Sequence, residues 1–157
     1  EKLSLSNDFL KTNYLFLSQC SVDKEYVGSI CTELQKINNI LQEGNAHVGY
    51  RVRDEIVFYM LNNKKAGLLD EKAAFDNEIM QKILPRIQGS SASIKKLLCN
   101  LFTELEGSYS DITGSDSENM KNYLIEKADK LRHPQSARKI YFMTRRFEED
   151  GFTSYWL

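Results

Sequence analysis

Apolar residues recur along most of this chain at spacings of three and four, the period of an α-helix. The cleanest run is Ile94, Leu97, Leu98, Leu101, Phe102 and Leu105, which fall on one side of a 3.6-residue turn. Tyr26, Ile30, Leu34, Ile37 and Leu41 form a second stripe between Val22 and Glu43, with Gly44 as its stop. A third, with Val52, Ile56, Tyr59 and Met60, covers Arg51 to Asn62 and ends at Asn62-Asn63 and Gly67. In the fourth, Asp70 is the cap and Phe75, Ile79, Ile83 and Ile87 are the apolar face, with Pro85 inside it. Proline lacks an N–H and its ring collides with the carbonyl one turn back, so a kink is expected near Met80–Leu84. Stripes of this kind are buried by packing helix on helix, which predicts an all-α domain of about six helices.

The remaining segments read less uniformly. Gly89 closes the kinked unit, and Ser90 or Ser91 caps the run to Leu105. Residues 107–117, GSYSDITGSDS, are small and polar and read as an exposed loop. From Thr103 to Glu118 there are five acidic residues and no basic one. Ser117 is then placed as the cap of a helix to Leu131, stopped by His133-Pro134, and Ser136 as the cap of the last helix. That helix turns Ile140, Met143 and Phe147 inward and stops at Gly151, and the tail FTSYWL reads as a short edge strand or a docked extended segment. The opening LSNDFLKTNYLFLSQC fits a helix face or a short strand equally.

At 157 residues the chain is expected to form a single domain, 1–157, large enough for a real core. A net charge of −1 gives no global field for a polyanion, so any nucleic-acid contact must come from a local patch. Cys20, Cys31 and Cys99 are odd in number and far apart, which suggests reduced, buried thiols in a cytoplasmic protein. No apolar run approaches the ~18 residues of a membrane span, and no secretory leader is visible. The chain begins at Glu1 rather than Met, and is read as part of a longer polypeptide.

Self-contained catalysis lacks its usual parts here. There is no GxxxxGK[ST] phosphate loop, no GxGxxG after a strand and no GxSxG elbow. His47 and His133 have no Cys, Asp or His at metal-ligand spacing, so they read as surface or capping residues, and no metal site is expected.

Two groups of residues remain as candidates. The first is HVGYRVRDEI, in which Gly49 and Tyr50 form a turn and Arg51 and Arg53 enter the first turn of a helix. A cation there opposes the helix dipole, so an external anion or neighbouring carboxylates must offset it. Arg51 falls on the side of Asp54 and Glu55, where an i,i+4 pair is the plain structural reading. Arg53 falls within the apolar arc, where its stem would lie over the edge of the core. The second group lies between Lys130 and Arg146, with six Lys or Arg and no Asp or Glu. On the last helix Arg138, Lys139, Arg145 and Arg146 occupy roughly a 120° arc around Phe142. Cations around an aromatic ring suit phosphate contact with base stacking, and equally suit docking on an acidic partner.

The order LQKINNIL, HVGYRVRDEI, AFDNEIMQKILPRIQG and PQSARKIYFMTRRFEEDGFTSYW resembles the C-terminal helical region of McrB-like AAA+ proteins, the nucleotide-driven subunits of methylation-dependent restriction systems. The likeness covers roughly residues 34–102 and 134–156, and the pairing of GYR with QKILPR carries most of it. It implies an AAA+ lid with extra C-terminal helices, attached to an upstream core in the same polypeptide. GTP or ATP, with magnesium, would be held by that core. Arg51 would be the sensor 2 arginine that touches the terminal phosphate, with Gly49 and Tyr50 shaping the turn and Arg53 as second candidate. The implied partners are further copies in a homo-oligomeric ring, a nuclease subunit, and DNA reached through the full complex, with no membrane. The alternative is a helical module that binds nucleic acid or protein through the basic Lys130–Arg146 surface.

Overall fold

The computed structural model describes residues 23–109 and 114–157. Six α-helices and a two-stranded antiparallel sheet near the C-terminus make up the described fold, an all-α domain with a terminal strand. The helices are α1 (Lys24–Gln42), α2 (Tyr50–Ala66), α3 (Glu71–Glu78), α4 (Ala92–Glu106), α5 (Asp116–Glu126) and α6 (Pro134–Asp150). The strands are β1 (Gln88–Gly89) and β2 (Thr153–Ser154), with Gln88 opposite Ser154 and Gly89 opposite Thr153. The two readings of the opening segment, and Cys20, lie outside the described residues.

The stripes become one core. Ile30, Leu34, Ile37 and Leu41 of α1 meet Leu97, Leu98, Leu101 and Phe102 of α4, and Ile140 and Met143 close the core from α6. Gly44 sits where α1 turns back towards α4. A Cβ built on it would lie 2.6 Å from Leu97 Cδ1, so close approach rather than backbone freedom explains this glycine. The left-handed residue of that turn is Asn45, at φ 56°. Cys31 and Cys99 are free thiols, but each is only half-buried, at the margins of the core.

Pro85 acts as expected, with a particular geometry. After α3 the chain makes a π turn at Ile79–Ile83 and then a 3-10 turn at Leu84–Arg86. The widened turn relieves the clash one turn before the proline and keeps Ile79, Ile83, Leu84 and Ile87 fully buried. β1 follows directly, and the tail pairs with it as an edge strand.

Several caps differ from the sequence reading. Ser115, not Ser117, caps α5 by accepting the Glu118 N–H, and the Ser117 hydroxyl donates instead to Glu148 on α6. The polar segment 107–117 is therefore neither all loop nor exposed throughout: Asp116 and Ser117 belong to α5, Ser117 is buried, and the Tyr109 ring meets Phe102 edge-on. Ser136 lies inside α6 rather than capping it. The orphan N–H groups at that end are taken by distant carboxylates: Asp76 accepts from Gln135 and Ser136, and Glu106 accepts from Arg132 and His133. The acidic run is explained in part by this: Glu106 serves α6, while Asp116 and Glu118 lie in the first turn of α5, where the dipole favours them. Asn63 does not end α2. It is buried, and its amide pairs with both the N–H and the carbonyl of Leu69, while Gly67 at φ 62° is the stop.

Candidate functional site

Alternate burial pins the loop that leads into α2. Ala46 and Val48 point into the core, and the Val48 N–H donates to Asn38 Oδ1 of α1 at 2.7 Å. Gly49 then stands at the N-cap with extended backbone and no side chain to cap the helix. The cations reach the first turn of α2 without acidic company there, and the carboxylates that offset them follow directly as Asp54 and Glu55.

Arg51 and Arg53 part company at this point. Arg53 turns toward α1 and lines a cavity of about 380 Å³ with His47, Gly49, Tyr50 and Asn38. Its Nε and Nη2 both donate to Asp54 Oδ1, at 2.9 and 2.8 Å, and its guanidinium lies 4.8 Å from the Tyr50 ring centroid. Tyr50 itself is 79% exposed. Arg51 stands outside that cavity with its side chain 72% exposed, and its Nε donates to Glu55 Oε1 at 3.3 Å. The i,i+4 pair expected from spacing is thus present, and Asp54 belongs to Arg53 instead.

Glu55 has a second cationic partner that spacing along α2 does not reveal. Lys82, in the π turn, donates to Glu55 Oε2 at 2.9 Å. That bond, above the smaller effect of Arg51, holds the Glu55 carboxyl below its ordinary range. Next to it, Glu78 ends α3 at 2% exposure, and its Oε2 has no hydrogen-bond partner. Burial pushes its pKa up to about 6, with Lys82 working against the shift and Glu55 adding to it. A carboxylate adjoining Ile79 in an apolar stripe is the sequence signal that would have marked Glu78.

The second candidate group also gathers, with one exception. Lys139, Phe142, Arg145 and Arg146 line a groove of about 310 Å³ together with Ser154 and Leu157 of the tail. Arg138 is exposed on the same helix but lies outside that lining. Arg145 pairs with Glu149 at 2.7 Å and Arg146 with Asp150 at 3.7 Å, both exposed i,i+4 pairs. The sequence marks the tail only as a strand or docked segment, yet it supplies one wall of this groove.

A model of one family, described as a domain of unknown function (DUF8727), matches residues 2–152. The chain belongs to the DUF8727 family. The match takes in both candidate groups and ends at Phe152, just before β2. No curated protein and no solved structure matches this DUF8727 chain. Among its described residues no cluster of three His, Cys, Asp or Glu side chains could hold a metal ion, and no helix is long and apolar enough to cross a membrane.

Proposed function

We propose that this domain is the nucleotide-sensing lid of a McrB-like AAA+ NTPase subunit, one that drives DNA translocation in a restriction or defence system. The observation that carries the reading is the setting of Arg51, an exposed guanidinium in the first turn of α2, behind an uncapped glycine. Its bond to Glu55 is an exposed helix pair, worth a few tenths of a kcal/mol. A terminal phosphate on a facing domain offers charge-assisted, bidentate bonds that exceed this. When Arg51 leaves, Glu55 keeps Lys82, so the carboxylate is not stranded. Arg53 is held twice by Asp54 and packed on Tyr50, which makes it a wall of the adjoining cavity and the second candidate.

In this reading the core that binds GTP or ATP with magnesium belongs to another part of the same polypeptide. This chain contributes sensing and movement. Arg51 engages the terminal phosphate of the bound substrate, and its release after hydrolysis lets the lid rotate against the core. Assembled subunits in a ring, with a nuclease partner, would turn that rotation into work on DNA.

The test uses the polypeptide extended upstream through its nucleotide core. Arg51→Ala there should abolish turnover while nucleotide still binds. Wild-type turnover in that variant, or an upstream sequence without a phosphate loop, sinks the proposal. Circular dichroism and an unfolding midpoint of the Arg51→Ala variant separate a loss of sensing from a loss of structure.

A further inference from the structure

We propose that the groove between α6 and the C-terminal tail binds single-stranded nucleic acid, with bases stacked on exposed aromatic rings and phosphates held by the surrounding cations. The inference stands on this surface alone and does not depend on the sensing role of Arg51. Lys139, Arg145 and Arg146 border one groove, which Glu149, the partner of Arg145, also lines, and Arg138 extends the positive face along α6. Phe142 lines that groove and is 56% exposed, an unusual place for a phenylalanine on a helix with a well-formed buried side. Trp156 is 77% exposed. Its chain neighbours belong to the same surface: the Tyr155 ring carries the Lys139 ammonium 4.6 Å from its centroid, and Leu157 lines the groove.

Charge and shape together choose the occupant. Lys139 lies over the Tyr155 ring, and the two arginine pairs on α6 are exposed and weak, so phosphates compete for all of these cations. An acidic peptide could meet the charges but offers no flat faces for Phe142 and Trp156. A duplex keeps its bases stacked and hidden. An unpaired strand presents both phosphates and open base faces, and base–aromatic stacking tolerates any sequence.

Trp156 is the sole tryptophan of the chain, so its fluorescence reports on this surface directly. Titration of the chain with a short oligodeoxythymidine at low salt should quench Trp156 and raise the anisotropy of a labelled strand. The log–log salt slope should be about −2 to −3, for about four phosphates on a single strand. Arg145→Glu with Arg146→Glu should weaken binding at least about tenfold and lower that slope. Arg145→Gln with Arg146→Gln, checked by circular dichroism, should show a smaller loss in the same direction. Phe142→Ala should weaken binding while leaving the slope unchanged, which separates stacking from charge. Absence of binding at low salt overturns the proposal, as does equal affinity for duplex or for polyglutamate. Wild-type affinity in the folded charge variants overturns it as well.

Discussion

The Asp76 carboxylate, on α3, accepts the backbone N–H of Ser136, in the first turn of α6, at 2.9 Å. Its other oxygen accepts from Gln135 at 2.9 Å, and the Ser136 hydroxyl donates back to the Asp76 carbonyl. One buried side chain thus joins the unit before the Pro85 kink to the helix that carries the basic groove.

Asp76→Ala should leave the buried Ser136 N–H and the part-buried Gln135 N–H without their acceptor and lower stability by about 2–4 kcal/mol. Asp76→Asn keeps one acceptor oxygen and should lose less. Chemical denaturation midpoints at a fixed slope measure both. Equal stability of Asp76→Ala and wild type would mean that water enters and replaces the carboxylate.

Two glycine substitutions should fail for different reasons. Gly44→Ala places a methyl group against the fully buried Leu97 and within 3.1 Å of Ile94 Cδ1, an overpacking that costs about 1–3 kcal/mol. Gly67→Ala meets open space but must hold φ at 62°, which costs about 1 kcal/mol. Thermal unfolding of each distinguishes the mechanisms further, because Leu97→Ala should partly rescue Gly44→Ala and leave Gly67→Ala unchanged.

Glu78 should make stability fall as pH rises. Its folded pKa, about 6, lies above the ordinary 4.5, so the folded state holds the proton more tightly than the unfolded state. Stability is therefore greatest below about pH 4.5 and is lost through the window up to about pH 6. Glu78→Gln removes that loss. It should be more stable than wild type above this window, by up to about 2 kcal/mol for a shift of this size, with the difference fading in acid. Comparing the two proteins across pH cancels the carboxylates that do not interact with Glu78; Glu55, whose shift has the opposite sign, is coupled to it and contributes a smaller part of the difference. A pH-independent difference between the two would contradict this account of Glu78.

What could be read in the sequence was local. The stripes of α1, α4 and α6, the Asp70 cap, the stops at Gly67 and Gly151 and the break before Pro85 all depend on residues within one or two turns. The Arg51–Glu55 pair is of the same kind. The caps of α6 were not legible, since Asp76 stands 60 residues from Ser136, and nothing in their spacing links them. A serine ahead of an apolar run is a sound capping signal, but it does not say which serine is used. Ser115 and Ser117 both fit until Glu148 takes the second. Lys82 met Glu55 across 27 residues only because the π turn aims it back at α2. The basic arc on α6 was visible, whereas the tail as its opposite wall required the pairing of β2 with β1.

That π turn also sets the angular phase of everything after it. A π turn carries one more residue than the α-helical ladder would, and each residue advances a helix by about 100°. Deleting one residue between Ile79 and Ile83 would restore an ordinary ladder and swing the following segment by that angle. Ile87 would leave the core, and Gln88 would no longer face Ser154. Length in this short stretch is consequently less negotiable than residue identity: Val for Ile at position 83 trims a core, while one residue fewer unhooks the tail from the domain.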